Sequence, residues 1–189
     1  LQQIAADGCS LLVSVDCGIA SRQAVAEMRE AMDIIITDHH LPGSELPPAF
    51  AVVNPHRADC LYPDKDLAGV GVAFKLVQAL RKIEENCLWA DDLDIAALGT
   101  VADLVPLVGE NRKIVQLGLA RMTECPCLGI AALIRVSGCE GKAINTGIVG
   151  FQLAPRLNAA GRIETARRGV ELLSAEDVHE ADRIATELN

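Results

Sequence analysis

The chain has 189 residues, half of them hydrophobic and only 3% aromatic, and its formal net charge is −9. This size and composition exclude a disordered chain and favour helices packed on a buried sheet over an aromatic-rich binding surface. No apolar run approaches the roughly 20 residues that cross a bilayer and no signal-peptide pattern is present, so we expect a cytoplasmic protein without a membrane partner.

The first part of the sequence predicts strands that alternate with a helix. The apolar run SLLVSV precedes Asp16, and SRQAVAEMREA predicts a helix with Ser21 in the capping position. DIIIT and AFAVV predict two further strands, the second of which is closed by Pro55. Continuous apolar runs with short connections are typical of a parallel sheet that is covered on both faces.

The rest of the sequence predicts mainly helices. LAGVGVAFKLVQALRKIEENCL and DDLDIAALGTVADLVPL have helical spacing of apolar residues, and the second gives way to a loop between Gly99 and Pro106. Helical or helix-flanking segments continue to residue 189. We therefore expect an α/β fold over residues 1–108, with a parallel sheet flanked by helices, and a mainly helical region over residues 109–189.

Acidic and histidine residues follow the first two predicted strands. Asp16 comes after the first strand, and Asp38, His39 and His40 come after the second. Parallel strands end at one rim of the sheet, where ligands bind, so we expect both groups there. Carboxylates with an imidazole suit Mn²⁺ or Mg²⁺, whereas zinc prefers thiolates or several histidines. Successive residues of a strand point in different directions, which predicts separate roles for the two histidines.

A further metal ligand is predicted at Asp103, a lone carboxylate in the apolar segment LGTVADLVPL. The alternative for Asp103 is a helix cap or a solvent-facing acid, and the alternative for the Asp-His-His triplet is a surface turn. Gly69 and Gly71 would either bring bare backbone amides close to a phosphate or allow a helix to pack closely on the sheet.

The cysteines and the charges bear on two other functions. The seven cysteines contain no CxxC pair, which favours reduced thiols over disulfides or a zinc site, although Cys125 and Cys127 are close enough in sequence for a redox pair. The negative charge opposes binding to a phosphate backbone unless metal ions or a basic face offset it. Residues 142–168 form such a basic stretch, with five basic residues and one acid.

Four motifs in the order SVDCG, ITDHH, GTVADLVPL and PRLNAAGR resemble the signature motifs of the DHH phosphoesterase superfamily. Within it, VVNPHRADCLYPDKDLAGVGVAFKL and the Asn-Ala-Ala-Gly-Arg segment are similar to the RecJ-type exonucleases, and the resemblance covers nearly the whole chain. It implies metal-dependent hydrolysis of phosphodiester bonds in single-stranded DNA, from 5′ to 3′, in DNA repair and recombination. Single-strand-binding protein or a helicase would be partners of the parent protein.

The resemblance also implies a role for each matching residue. Asp16 corresponds to a metal-bridging aspartate, His39 to a metal-binding histidine, and Asp103 to the aspartate that completes the shell of that ion. His40 would contact the scissile phosphate, and Asp38 would orient its neighbours or complete the shell. The ions would be two Mn²⁺ or Mg²⁺. The residues that match the motif lining the path of the DNA strand are Arg156, Asn158 and Arg162.

The sequence departs from the family pattern before its first strand. No D-x-D motif precedes SLLVSV, because Asp7 stands alone beside Gly8. We therefore expect an internal piece of a longer protein: a DHH catalytic domain, incomplete at its N-terminus, over residues 1–108, and a helical continuation toward a DHH-associated domain over residues 109–189. One metal shell would be incomplete, so this piece alone is expected to be inactive or to bind one ion weakly.

Two alternatives to the DNA exonuclease stay open. The first is a DHH phosphodiesterase that acts on short oligonucleotides or cyclic dinucleotides, and the second is a non-catalytic DHH-like scaffold that binds a partner. The segments AGVGVAFKL and PRLNAAGR favour the exonuclease over the first alternative. Retention of Asp16, His39, His40 and Asp103 argues against the second, because a scaffold has no need to hold carboxylates together.

Overall fold

The computed structural model describes residues 1–83, 91–158 and 163–189 and divides the chain into two compact units, Leu1–Cys87 and Leu88–Asn189. The first unit contains a parallel sheet with flanking helices, as the sequence predicts. Among the described residues its strands lie in the order β1-β2-β3. Its elements are α1 (Gln2–Ala6), β1 (Leu11–Val15), α2 (Arg22–Met28), β2 (Asp33–Thr37), β3 (Ala51–Val53) and α3 (Gly69–Ile83).

The three strands end level with one another. Val15 pairs with Thr37, and Thr37 pairs with Val53 on its other side. The ladder continues one residue beyond the strands, since the Asp16 N–H donates to the Thr37 carbonyl (2.9 Å) and the Asp38 N–H donates to the Val53 carbonyl (3.0 Å). The backbones of both aspartates are therefore fixed at the carboxyl edge of the sheet.

The core of the first unit lies between α2 and the sheet. Ile34 and Ile36 of β2 are buried there against Val25 and Met28 of α2. The expectation of a sheet covered on both faces is not met at β1. Alternate residues of this strand are 45 to 57% exposed on one face. The exposed side chains are Leu11, Val13 and Val15.

The second unit is helical throughout its described elements. α4 packs along α5, and α6 packs along α10. Helix α4 therefore belongs to the second unit, which begins at Leu88. The sequence analysis placed the boundary later, at residue 108. The elements are α4 (Leu93–Ala102), α5 (Gly109–Glu124), α6 (Leu128–Val136), α7 (Thr146–Ile148), a π-helical turn (Val149–Leu153), α8 (Ala154–Asn158), α9 (Ile163–Leu173) and α10 (Val178–Glu187).

No single helix within residues 1–83, 91–158 and 163–189 combines the length and apolarity needed to cross a membrane. Helices α5 and α6 meet that test only as a pair, and they are bent by 73° at the break between them.

A buried aspartate fixes the start of α4. Asp94 is fully buried, and its Oδ2 accepts a hydrogen bond from the Cys127 N–H (2.7 Å) at the start of α6. Its Oδ1 accepts from the Ile95 N–H (3.0 Å) and lies 3.7 Å from Arg121 Nε. Burial and the neighbouring Asp94 carboxylate raise the pKa of the Cys127 thiol to about 11. A thiol that resists ionisation does not suit a redox pair.

We expect iodoacetamide at pH 8 to modify the exposed Cys125 much faster than Cys127, because about 0.1% of a thiol with a pKa near 11 is ionised at that pH. Brief alkylation followed by peptide mass spectrometry measures both sites. In urea the two cysteines should react at similar rates. Equal labelling in the folded protein would contradict this account of Cys127.

Candidate metal centre

Asp16 and His39 meet at the carboxyl edge of the sheet. Asp16 directly follows β1, and His39 lies two residues after β2. His39 Nε2 is 3.2 Å from Asp16 Oδ1. Two ligands at right angles on an ion with bonds near 2.1 Å are about 3 Å apart, so this separation fits a shared divalent ion. The His39 side chain is mostly buried, whereas that of Asp16 is 55% exposed.

His40 joins the same cluster. One ligand atom each from Asp16, His39 and His40 lies within 4.8 Å of the others, and two ligands on opposite sides of one ion are roughly 4 to 5 Å apart. The sequence predicts that the two histidines point in different directions and have separate roles. Their rings lie close together in the structure, and the separate roles stay a prediction. Strand alternation does not apply to them, because β2 ends at Thr37 and the triplet lies beyond it. The two rings are 4.5 Å apart at 63°.

Asp38 organises the turn that carries both histidines. Its side chain is only 1% exposed. Its Oδ2 accepts from the Ile19 N–H (2.9 Å), while its Oδ1 accepts from the backbone N–H groups of His39 (2.8 Å) and His40 (3.2 Å). Oδ1 also lies 2.7 Å from Nδ1 of the His40 ring. The four contacts occupy both oxygens of Asp38, which favours its predicted role in orienting neighbours over that of a metal ligand.

Hydrogen bonding decides the ionisation of Asp38. Burial favours the neutral acid, but the bonds from the His40 ring and from the backbone N–H groups of Ile19, His40 and His39 outweigh it and hold the pKa of Asp38 below its usual value. An ionised Asp38 keeps a proton on Nδ1 of His40 and turns the Nε2 edge of that ring away from itself. Asp38 and His40 therefore act as a hydrogen-bonded pair.

Two further residues complete the frame of the site. The sequence analysis did not assign Asn54, and for Gly69 it offered either a phosphate contact or close packing of a helix on the sheet. Asn54 follows β3, is 3% exposed, and its Nδ2 donates to the His40 carbonyl (2.9 Å). Its Oδ1 accepts from the His56 N–H (2.7 Å). The position of Asn54 after the third predicted strand was the signal that could have found it. Gly69, the first residue of α3, lies against the Asp16 side chain.

Two non-glycine residues in the described ranges have a left-handed backbone, and both belong to predicted metal-binding segments. They are Asp16, with φ of 61°, and Leu104, with φ of 59°, which directly follows Asp103. This conformation costs a leucine roughly 1 kcal/mol or more, whereas aspartate tolerates it better, and such strain is often retained at functional sites. The strain at Leu104 is an independent reason to consider the segment around Asp103 functional.

Asp103 belongs to the second unit, where it is the C-cap residue of α4 and is exposed. The loop that follows is held by the buried Asn111, whose Nδ2 donates to the Pro106 carbonyl (3.1 Å). The helix-cap alternative is therefore realised at Asp103. It does not compete with a metal role, because the cap depends on the backbone N–H of Asp103 and not on its carboxylate.

The predicted DNA-path residues differ in their surroundings. Arg156 Nε donates to Asn189 Oδ1 (2.7 Å), and its Nη1 donates to the Gln152 carbonyl (2.5 Å). Asn158 is exposed at the end of α8. Arg162 lies outside the described residues. Arg156 is therefore partly engaged by its own unit.

Acidic partners balance much of the basic stretch over residues 142–168. Arg167 and Arg168 both pair with Glu171, at 2.9 and 2.8 Å, and Arg168 also pairs with Glu187 at 3.0 Å. These acids follow the stretch in sequence, so a charge count within residues 142–168 overestimates its positive potential.

The family can now be assigned. The model of the DHH family, N-terminal domain, matches residues 2–100, which is more than half of the chain. The chain belongs to the DHH family. Among the curated relatives of this DHH protein, the single-stranded-DNA-specific exonuclease RecJ of Bacillus subtilis (strain 168) is 51% identical over 183 residues, which cover 96% of this chain and 23% of the relative. RecJ of Escherichia coli (strain K12) is 43% identical over 202 residues, covering 100% and 35%.

Solved structures agree with this assignment. A crystal structure of exonuclease RecJ bound to manganese has a TM-score of 0.85 and 35% identity, and the match covers 100% of this DHH protein and 48% of that chain. RecJ from Thermus thermophilus in complex with Mn²⁺ has a TM-score of 0.84 and 35% identity, covering 100% and 29%. The predicted resemblance to RecJ-type exonucleases is confirmed. The chain spans about a quarter to a third of the length of the curated relatives it matches.

Two substitutions of Asp16 distinguish the effect of backbone strain on the stability of this DHH protein from the loss of a metal ligand. Without metal, we expect Asp16→Gly to be about 1 kcal/mol more stable to urea than Asp16→Ala, because only glycine relieves the left-handed backbone at φ of 61°. Both variants should lose Mn²⁺ binding. If the alanine variant were as stable as the glycine variant, the strain at this position would be refuted.

Asp38→Asn tests the turn. The amide offers one acceptor oxygen in place of two and sets an N–H₂ group against backbone N–H donors, so we expect a loss of about 2 to 3 kcal/mol in the free energy of unfolding, measured in urea. Asp33→Asn, at an exposed position at the start of β2, is the matched control and should change it by less than about 0.5 kcal/mol. Equal effects of the two substitutions would argue against an organising role for Asp38.

Proposed function

We propose that this DHH protein takes part in metal-dependent hydrolysis of phosphodiester bonds in single-stranded DNA, from the 5′ end, in DNA repair and recombination. The convergence of Asp16, His39 and His40 around a space that fits one divalent ion carries the proposal. The relatives named single-stranded-DNA-specific exonucleases support the substrate, and the two RecJ structures with Mn²⁺ support the ion.

Asp16, His39 and Asp103 are proposed as metal ligands. A half-exposed carboxylate with two oxygens suits a bridging position, which is the role proposed for Asp16. When bound, a pair of divalent ions lowers the pKa of a water between them and stabilises charge on the phosphoryl oxygens. Asp16, His39 and His40 together also make the set of two imidazoles and one carboxylate that occurs in zinc sites, so competition between Mn²⁺ and Zn²⁺ is an informative control.

His40 and Asp38 are proposed as the pair that acts on the phosphate. The His40 side chain is 59% exposed, and Asp38 fixes its ring by accepting from Nδ1. The opposite edge of the ring can then reach a phosphate oxygen held at the ion. Asn54 limits movement of this turn, because it binds the His40 carbonyl.

A strand path along α8 is the proposed role of Arg156, Asn158 and Arg162, with arginine suited to forked phosphate contacts. Phe151, in the π-helical turn before α8, is 86% exposed and could stack on a base. The ion pairs of Arg167 and Arg168 reduce the electrostatic contribution of this region. On the resemblance alone, we propose single-strand-binding protein or a helicase as the partner that presents the strand.

A chimera tests this function directly. Residues of this chain replace the matching 183-residue segment of the Bacillus subtilis RecJ, and the purified chimera is incubated with Mn²⁺ and end-labelled single-stranded DNA. We expect digestion from the 5′ end. His39→Ala and Asp103→Ala should each lower the rate by more than the roughly 10- to 100-fold typical of a residue outside the metal shell. The matched controls, His179→Ala and Asp7→Ala at exposed positions, should retain it.

Three results would count against the proposal. A folded chimera without nuclease activity would reject it, and so would full activity of Asp103→Ala or His39→Ala. Preference for a cyclic dinucleotide over a long single strand would favour the phosphodiesterase alternative.

A further inference from the structure

We infer that Gly69 is a positioning residue of the metal centre, because the absence of a Cβ makes room for the Asp16 carboxylate at the start of α3. The inference rests on the metal-binding role proposed for Asp16. Gly69 belongs to the segment AGVG, more than fifty residues after Asp16. Asp16, His39 and His40 lie at the ends of β1 and β2, so the inference adds a third segment of the chain to the site.

The contact is too close for any other residue type. A Cβ built on Gly69 would lie 2.0 Å from Oδ1, 2.5 Å from Cγ and 2.7 Å from Cβ of Asp16. Atoms separated in this way overlap, so one side has to move. The backbone of Gly69 is not left-handed, and alanine is a better helix former than glycine. Space beside Asp16, rather than conformation, therefore requires the glycine.

Neither backbone moves easily. The Asp16 N–H is bonded to the Thr37 carbonyl at the end of the β1–β2 ladder. On the helix side, Leu67 and Ala68 are buried directly before Gly69, and Val72 and Phe74 are buried after it. The half-exposed Asp16 side chain is the softest part of the contact. Rotation of the Asp16 side chain relieves the contacts with Oδ1 and Cγ but not the 2.7 Å contact with Cβ. A Cβ at residue 69 is therefore expected both to turn the carboxylate toward solvent, away from His39 Nε2, and to push the start of α3 away from Asp16.

Gly71 provides a matched control two residues along the same helix. A Cβ at Gly71 would meet only the Leu67 side chain, at 3.2 Å from Cδ2 and 3.7 Å from Cβ, which a shift of a few tenths of an ångström relieves. Its backbone is not left-handed either. Gly69→Ala and Gly71→Ala thus make the same chemical change in the same helix, and only the first reaches Asp16.

The first experiment measures Mn²⁺ binding by the whole chain, using the electron paramagnetic resonance signal of free Mn²⁺ during titration. We expect Gly69→Ala to weaken binding by about 10-fold or more, as removal of support for a metal ligand typically does, and Gly71→Ala to change it by less than about twofold. If both variants bound Mn²⁺ as the wild type does, the inference would be overturned. Circular dichroism confirms that each variant is folded.

The second experiment asks whether the overlap is with Asp16, through the thermal unfolding midpoint without metal. Asp16→Gly removes all three atoms that a Cβ at residue 69 would meet. We expect Gly69→Ala to lower the midpoint in the wild-type background and to leave it unchanged, or raise it, in the Asp16→Gly background. Equal losses in both backgrounds would overturn the inference, since the overlap would then involve another group.

The two proposals fail in different ways. Absence of Mn²⁺ binding by the wild-type chain would overturn the metal centre and, with it, the positioning role of Gly69. Normal Mn²⁺ binding by the wild type and by Gly69→Ala would leave the metal centre standing and overturn only the role of Gly69.

Discussion

The register of the parallel pairing between β1 and β2 is the constraint on which the candidate site depends. Val15 lies opposite Thr37, so Asp16 and Asp38 leave the sheet at the same level. The buried Thr37 reinforces this register twice, because its carbonyl accepts from the Asp16 N–H and its Oγ1 donates to the Ser14 carbonyl (2.8 Å). A slip of one residue would move Asp16 by about 3.3 Å relative to His39, enough to separate the two ligands.

The site contains groups that cost stability and that the rest of the first unit has to support. Asp16 has a left-handed backbone, and Asp38 is a buried carboxylate whose pKa several hydrogen bonds hold below its usual value against the effect of burial. The buried isoleucines of β2 pack on α2 directly before these residues, and their apolar burial offsets part of the loss of stability. Close placement of strain and buried charge is expected where a site must hold ligands in position before an ion arrives.

The sequence was sufficient for the fold class and for part of the site. Apolar runs identified the strands, and the rule that parallel strands end at one rim placed Asp16 next to His39. Helical spacing identified α3 to α6, and the motif order identified the family. Each of these follows from periodicity or from local order along the chain, which a single sequence contains.

Other features depended on contacts that spacing does not encode. The approach of His40 to His39 follows from a turn organised by Asp38, and strand alternation predicted the opposite. The role of Gly69 depends on which side chain faces its Cα, and only the packing of α3 on the sheet decides this. The ion pair of Arg167 with Glu171 could have been predicted from the sequence, because i, i+4 spacing is typical of helical pairs. It was missed because Glu171 lies outside residues 142–168, the stretch whose charge was counted.

The most direct test of the central claim, that Asp16 and His39 share a divalent ion, is anomalous diffraction at the manganese edge from crystals of this chain soaked in Mn²⁺. The account predicts an anomalous peak about 2.0 to 2.3 Å from both Asp16 Oδ1 and His39 Nε2. A manganese peak bound elsewhere, with these two side chains ordered and not coordinated, would contradict it.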